Sequence, residues 1–133
     1  MSIHQFTVRF NDLLLYGDRY RQKCRTLVLH GAGKSSRSRF LSLREKLNTC
    51  GIPSAAFDFI GHGQTCGHIT DTSLKLRTRQ ADAVIRQECK EPLTLIGASM
   101  SAYTAIMLTK RFTIKNLILM VPAVYTSDAY GLN

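Results

Sequence analysis

Four short apolar runs, at residues 27–29 (LVL), 55–59 (AAFDF), 93–96 (LTLI) and 117–121 (LILMV), constrain the fold more than any other feature of the sequence. A strand with one wet face alternates apolar and polar residues, whereas strands covered on both faces read as nearly continuous runs, the pattern of a parallel sheet. The stretches between them carry helical spacing. Phe40, Leu43, Leu47 and Cys50 mark a first helix, closed by Gly51 and Pro53. Leu74, Ala81, Ile85 and Cys89 mark a second over residues 71–89, with Asp71 as its N-cap. A third, over residues 99–112, is apolar on most sides through Met100, Ala102, Ala105, Ile106 and Met107, and is expected against the sheet. Ahead of these units, residues 3–10 alternate, with Phe6, Val8 and Phe10 on one side, and Asn11-Asp12 offers a turn before Leu13, Leu14 and Leu15. The predicted class is α/β: an N-terminal β-hairpin followed by a mostly parallel sheet with helices on both faces.

At 133 residues and 14.9 kDa the chain has room for one domain, residues 1–133, and it shows neither an internal repeat nor a linker. A hydrophobic share of 44% with 20% charged residues excludes a disordered or collagen-like chain. The longest apolar run falls far short of the ~20 residues of a membrane-spanning helix, and the N-terminus lacks a secretory apolar core, so a cytoplasmic protein without a membrane span is expected. Cys24, Cys50, Cys66 and Cys89 form no CxxC pair and have no histidine at ligand spacing, so reduced, partly buried thiols are expected, with no metal and no cofactor. The net charge is +9, and half of the 18 basic residues lie between Arg19 and Lys46, where Glu45 is the only acid. That stretch raises a nucleic-acid interface, but its only aromatics are Tyr20 and Phe40 and it holds no binding motif, so a solvated basic face is the preferred reading.

In doubly wound sheets ligands bind beyond the carboxyl ends of the strands. Four loops fall there: HGAGKSS, DFIGHGQT, GASMSA and VPAVYTSD. The tightest is GASMSA, where strand passes into helix with no residue to spare and Ser99 stands at the junction. Such a turn strains the backbone of the turning residue and lifts its side chain out of the packed layers. Gly97 and Ser101 flank it, and the backbone N–H of Met100, unpaired at the helix start, can stabilise an oxyanion. A second donor must come from another loop, and His30-Gly31-Ala32-Gly33 offers the N–H of Ala32. An ordinary N-cap would also put a serine at position 99.

These residues resemble the α/β-hydrolases, and within them the monoacylglycerol lipase and lysophospholipase-like branch of serine hydrolases. HGAG resembles the oxyanion loop, FDFIGHGQT the D-x-x-G-H-G-x-S/T segment, GASMSA the nucleophile elbow and LILMVPAV the following strand and proline loop, so the likeness spans the chain from the hairpin to Val124. It implies that Ser99 is the acyl-accepting nucleophile of an esterase- or lipase-like enzyme. Ala32 and Met100 would be its oxyanion donors, and Asp58, Gly61, His62 and Gly63 a supporting loop. The implied partner is a small acyl or ester substrate.

Two features depart from the family pattern. The elbow reads GxSxS, with Ser101 in place of the usual glycine. The family order is serine, acid, histidine, yet after Ser99 the chain has no histidine and one acid, Asp128. His30 and His62 are the histidines nearest the rim, and the family uses these positions structurally. The expectation is the N-terminal half of a hydrolase, inactive alone, which needs a missing C-terminal segment or a partner chain. The alternative outside the enzymes is a truncated remnant or partner-dependent module. A P-loop reading of GAGKSS fails on spacing, because the required first glycine falls at Val28.

Overall fold

The computed structural model describes residues 3–68 and 73–120. Strands β1 (His4–Phe10) and β2 (Leu13–Arg19) form the predicted hairpin, with Phe6 opposite Gly17 and Val8 opposite Leu15. Its turn places Asn11 in the left-handed region at φ 53°. The Phe6 ring occupies the space where a side chain at position 17 would lie, which is why this strand carries a glycine there. Strands β3 (Cys24–Leu29), β4 (Ser54–Phe57), β5 (Cys89–Ala98) and β6 (Ile114–Met120) complete a six-stranded sheet in the order β1-β2-β4-β3-β5-β6. The pairs β4–β3, β3–β5 and β5–β6 are parallel, and only the hairpin side is antiparallel.

Helices α1 (Leu41–Thr49), α2 (Leu74–Glu88) and α3 (Ser101–Leu108) cover the sheet. Successive strand residues point to opposite faces. Leu27, Leu29, Leu93 and Leu95 accordingly join Ala81, Val84 and Ile85 of α2 and Ala105 and Leu108 of α3 in the larger core cluster, while Val28, Ala56 and Ile96 meet Leu47 of α1 on the other side.

Several boundaries differ from the sequence expectation. The run at 55–59 stops being strand at Phe57, although the amide of Asp58 still bonds the carbonyl of Tyr16 opposite it at 2.8 Å. Helix α2 is capped by Ser73, whose hydroxyl accepts from the Leu76 amide at 3.1 Å, while Asp71, the expected cap, lies outside the described residues. Helix α3 begins two residues after Ser99 and is shorter than the pattern suggests. Val121, the VPAVYTSD loop and Asp128 also lie outside the described residues. Cys24 and Cys89 are buried, but Cys50 and Cys66 are exposed, so Cys50 does not belong to the buried face of α1.

The residue of α1 that is buried is Arg44. Its Nη1 donates to Asp18 at 2.5 Å and its Nε to the Ser54 hydroxyl at 2.9 Å. Arg37, in a short 3-10 turn (Arg37–Phe40), donates to the other oxygen of Asp18 at 2.8 Å and to the Asp58 carboxylate. Part of the basic stretch read as a solvated face is therefore a largely buried ion network that fastens α1 and its entry turn to β2 and to the loop after β4. Among the described residues no helix is long and apolar enough to cross a membrane.

Candidate active site

Ser99 sits where β5 ends and α3 begins, at φ 54°, in the left-handed region where a non-glycine residue is strained. Its side chain is exposed at the rim, and among the described residues its hydroxyl makes no hydrogen bond. Strand and helix nearly touch behind it. A Cβ on Gly97 would lie 2.5 Å from the Ser101 carbonyl oxygen and 3.2 Å from the Ala102 Cα, so no larger residue fits without displacing the elbow. Met100 is the first residue after the turn; its carbonyl accepts from the Tyr103 amide at 3.2 Å, and no hydrogen bond from its N–H is found among the described residues.

The loop after β3 reaches the same place. A Cβ on Gly31 would lie 3.2 Å from the Ser99 Cβ and 3.8 Å from its Oγ, which measures how closely the two loops approach. Ala32 and Gly33 follow in exposed positions, with Gly33 at φ 78°. His30 at the base of the loop is fully buried. Its Nε2 accepts from the Phe59 amide at 3.1 Å, so the ring proton is on Nδ1, which donates to the Gly31 carbonyl at 2.5 Å. Burial, with the Arg77 charge and His62 nearby, lowers its pKa to about 3, which keeps the imidazole neutral. With its lone pair already bonded, His30 has no capacity to accept a proton from Ser99.

The loop after β4 packs beneath. Asp58 is nearly fully buried and accepts from the amides of Arg37 at 2.8 Å and Gln64 at 3.0 Å as well as from the Arg37 guanidinium. Its carboxylate fills the space beside Gly63, φ 51°, where a Cβ would collide with it. Gly61 takes φ 81° in the same turn. The His62 ring lies 4.9 Å from that of His30 and donates from Nδ1 to the Ile60 carbonyl at 3.0 Å; its buried Nε2 has no partner among the described residues. Thr65 closes the loop, donating to the Asp58 carbonyl at 2.8 Å and accepting from the Tyr16 amide at 3.0 Å. Among the described residues no cluster of three or more His, Cys, Asp or Glu side chains forms a metal-binding arrangement.

The structure thus brings Ser99, Gly97, Ser101, Gly31 and His30 together, with the Asp58–Gly63 turn one layer below. Two residues at this place were not singled out from the sequence. Arg77 of α2 is fully buried, and its Nη2 donates to the His30 carbonyl at 3.0 Å and to the Ser101 hydroxyl at 2.9 Å. Arg37 holds Asp58. Arg77 lies four, seven and eight residues before Ala81, Val84 and Ile85, on the apolar stripe of its helix, and that spacing was the available signal. Ser101 does not strain the close approach at the elbow, because its hydroxyl turns away to donate to the His30 carbonyl.

A family model described as serine aminopeptidase, S33 (Hydrolase_4) matches residues 21–132. No curated protein matches the chain with significance. Among solved structures, a thioesterase domain from the curacin biosynthetic pathway superposes with a TM-score of 0.79 at 23% identity, over 97% of this chain and 51% of that one. A monoacylglycerol lipase from Paleococcus ferrophilus gives 0.72 at 29% identity, over 84% and 44%. A protein described as a putative hydrolase from Agrobacterium vitis S4 gives 0.72 at 21% identity, over 92% and 52%. The chain therefore spans about half the length of these proteins.

Proposed function

Because the chain belongs to the serine aminopeptidase S33 family of α/β-hydrolases, we propose that it carries the nucleophile half of a serine hydrolase that cleaves carboxylic esters or related acyl bonds through an acyl-enzyme on Ser99. The observation that carries this reading is the Ser99 backbone at φ 54°, with the side chain exposed where β5 meets α3 and Gly31 of the neighbouring loop against it. In the proposed step Ser99 Oγ attacks the acyl carbonyl carbon and its proton passes to a base. The carbonyl oxygen, now an oxyanion, accepts from the N–H groups of Ala32 and Met100. Collapse expels the alcohol or amine, which takes that proton from the base, and water then attacks the acyl-enzyme, releasing the acid and returning a proton to Ser99 Oγ.

The base is not His30, whose lone pair is engaged. We assign it to a histidine brought by a further segment of the protein or by a partner chain, in keeping with the family order and with a chain half as long as its structural neighbours. On this reading the chain alone accepts an acyl group slowly and does not turn over. A second reading, a partner-dependent module without catalysis, is favoured by one observation, the exposed Leu117 and Ile118 on β6.

An activated phenyl ester separates the two. Intact-mass measurement after incubation is expected to find one acyl group per chain, on the peptide containing Ser99 and absent in Ser99→Ala. Acylation confined to lysine or cysteine side chains would leave the module reading in its place.

A further inference from the structure

Arg77 is a fully buried cation for which no carboxylate serves as counter-ion among the described residues. Burying a guanidinium in this way is costly. What it has instead is the Phe59 ring, 3.8 Å from its central carbon, and two oxygens shared by one Nη2: the His30 carbonyl and the Ser101 hydroxyl. Ser101 in turn donates to the same carbonyl. These groups belong to three separate rim segments. His30 begins the HGAG loop, Ser101 is the first residue of α3 two positions after Ser99, and Phe59 lies in the loop after β4.

With two donors on its oxygen, the peptide unit joining His30 to Gly31 is fixed in orientation. Gly31 is the residue that abuts Ser99, and the next amide along is that of Ala32. We propose that Arg77 is a positioning residue which, through Ser101 and the His30 carbonyl, sets the Gly31–Ala32 backbone against Ser99. The catalytic meaning of this clasp rests on the reading of Ser99 and Ala32 given above, while the clasp itself rests on the hydrogen bonds alone. It also accounts for the serine where the family pattern has glycine, since glycine has no hydroxyl to relay the contact.

Three variants of the full chain test it. Arg77→Met keeps the length and the packing over Phe59 without the donors, Arg77→Lys keeps the cation, and Ser101→Gly removes only the relay. Backbone 15N order parameters at Gly31 and Ala32 are expected to fall from the rigid range, about 0.85, to below about 0.6 in Arg77→Met and Ser101→Gly, with Leu27 and Ala56 unchanged. Arg77→Lys is expected to recover part of the loss, and the double variant to be no worse than Arg77→Met, because both act on one carbonyl. Fluorophosphonate labelling of Ser99 is expected to slow about 10- to 100-fold in step with the order parameters.

A lower melting temperature in Arg77→Met with Gly31 and Ala32 still rigid would make Arg77 a structural filler and overturn the proposal. If Arg77→Met does not fold, Ser101→Gly decides by the same criterion. If Ser99 takes no label either in the chain alone or with the segment or partner that supplies the histidine, the reading of Ser99 fails, and the order parameters still decide the clasp.

Discussion

A Cβ on Gly97 has nowhere to go, because the backbone of Ser101 is in the way. Gly97→Ala is therefore expected to lower stability by about 1–3 kcal/mol, the usual cost of forcing atoms into a packed site, and urea unfolding measures it. His30 gives a pH dependence with a definite sign. Its folded pKa, about 3, is below the unfolded value near 6.5, so the unfolded chain binds the extra proton. The stabilising effect is complete above pH 6.5 and is lost as pH falls from there towards 3, by up to about 1.4 kcal/mol per pH unit. Comparing urea unfolding at pH 7 and pH 5 is expected to show that loss in the parent chain and a smaller one in His30→Gln. At this scale the tight turn at Ser99 was legible, because a strand that passes directly into a helix demands small neighbours such as Gly97. The roles of Arg77 and Ser101 were not legible, because a buried guanidinium bonded to a carbonyl leaves no mark in the sequence beyond its place on an apolar stripe.

Elements are joined here by charge as much as by apolar packing. Asp18 of β2 receives Arg37 on one carboxylate oxygen and Arg44 on the other, at 2.8 Å and 2.5 Å. Removing one member of such a cluster strands buried charge, so Asp18→Asn is expected to cost about 3–5 kcal/mol and to loosen α1 first, seen as faster amide exchange over α1 than over β3. The helix–strand alternation was readable from apolar spacing, and the parallel strands from their lack of alternation. The cap of α2 was misplaced because Ser73 and Asp71 are equally good caps by type, and only the described position of the helix start selects the serine. The basic stretch looked solvated because a count of charges cannot show that Arg37 and Arg44 point inward at a single aspartate on a distant strand.

At the scale of the whole molecule, β6 is the edge opposite the hairpin among the described residues, with Leu117 38% and Ile118 46% exposed. An open edge with apolar side chains invites pairing with another chain. Sedimentation of the chain is expected to show concentration-dependent self-association, which Ile118→Lys reduces, while a compact monomer at all concentrations would argue against an incomplete sheet. The central claim is that Ser99 is a nucleophile. Its most direct test is reaction with a fluorophosphonate followed by peptide mapping, using the chain alone and then a longer chain or partner that carries an aspartate and a histidine. The prediction is one label per chain on Ser99, slow in the first case and fast in the second, and none in Ser99→Ala. No label on Ser99 in either would contradict it.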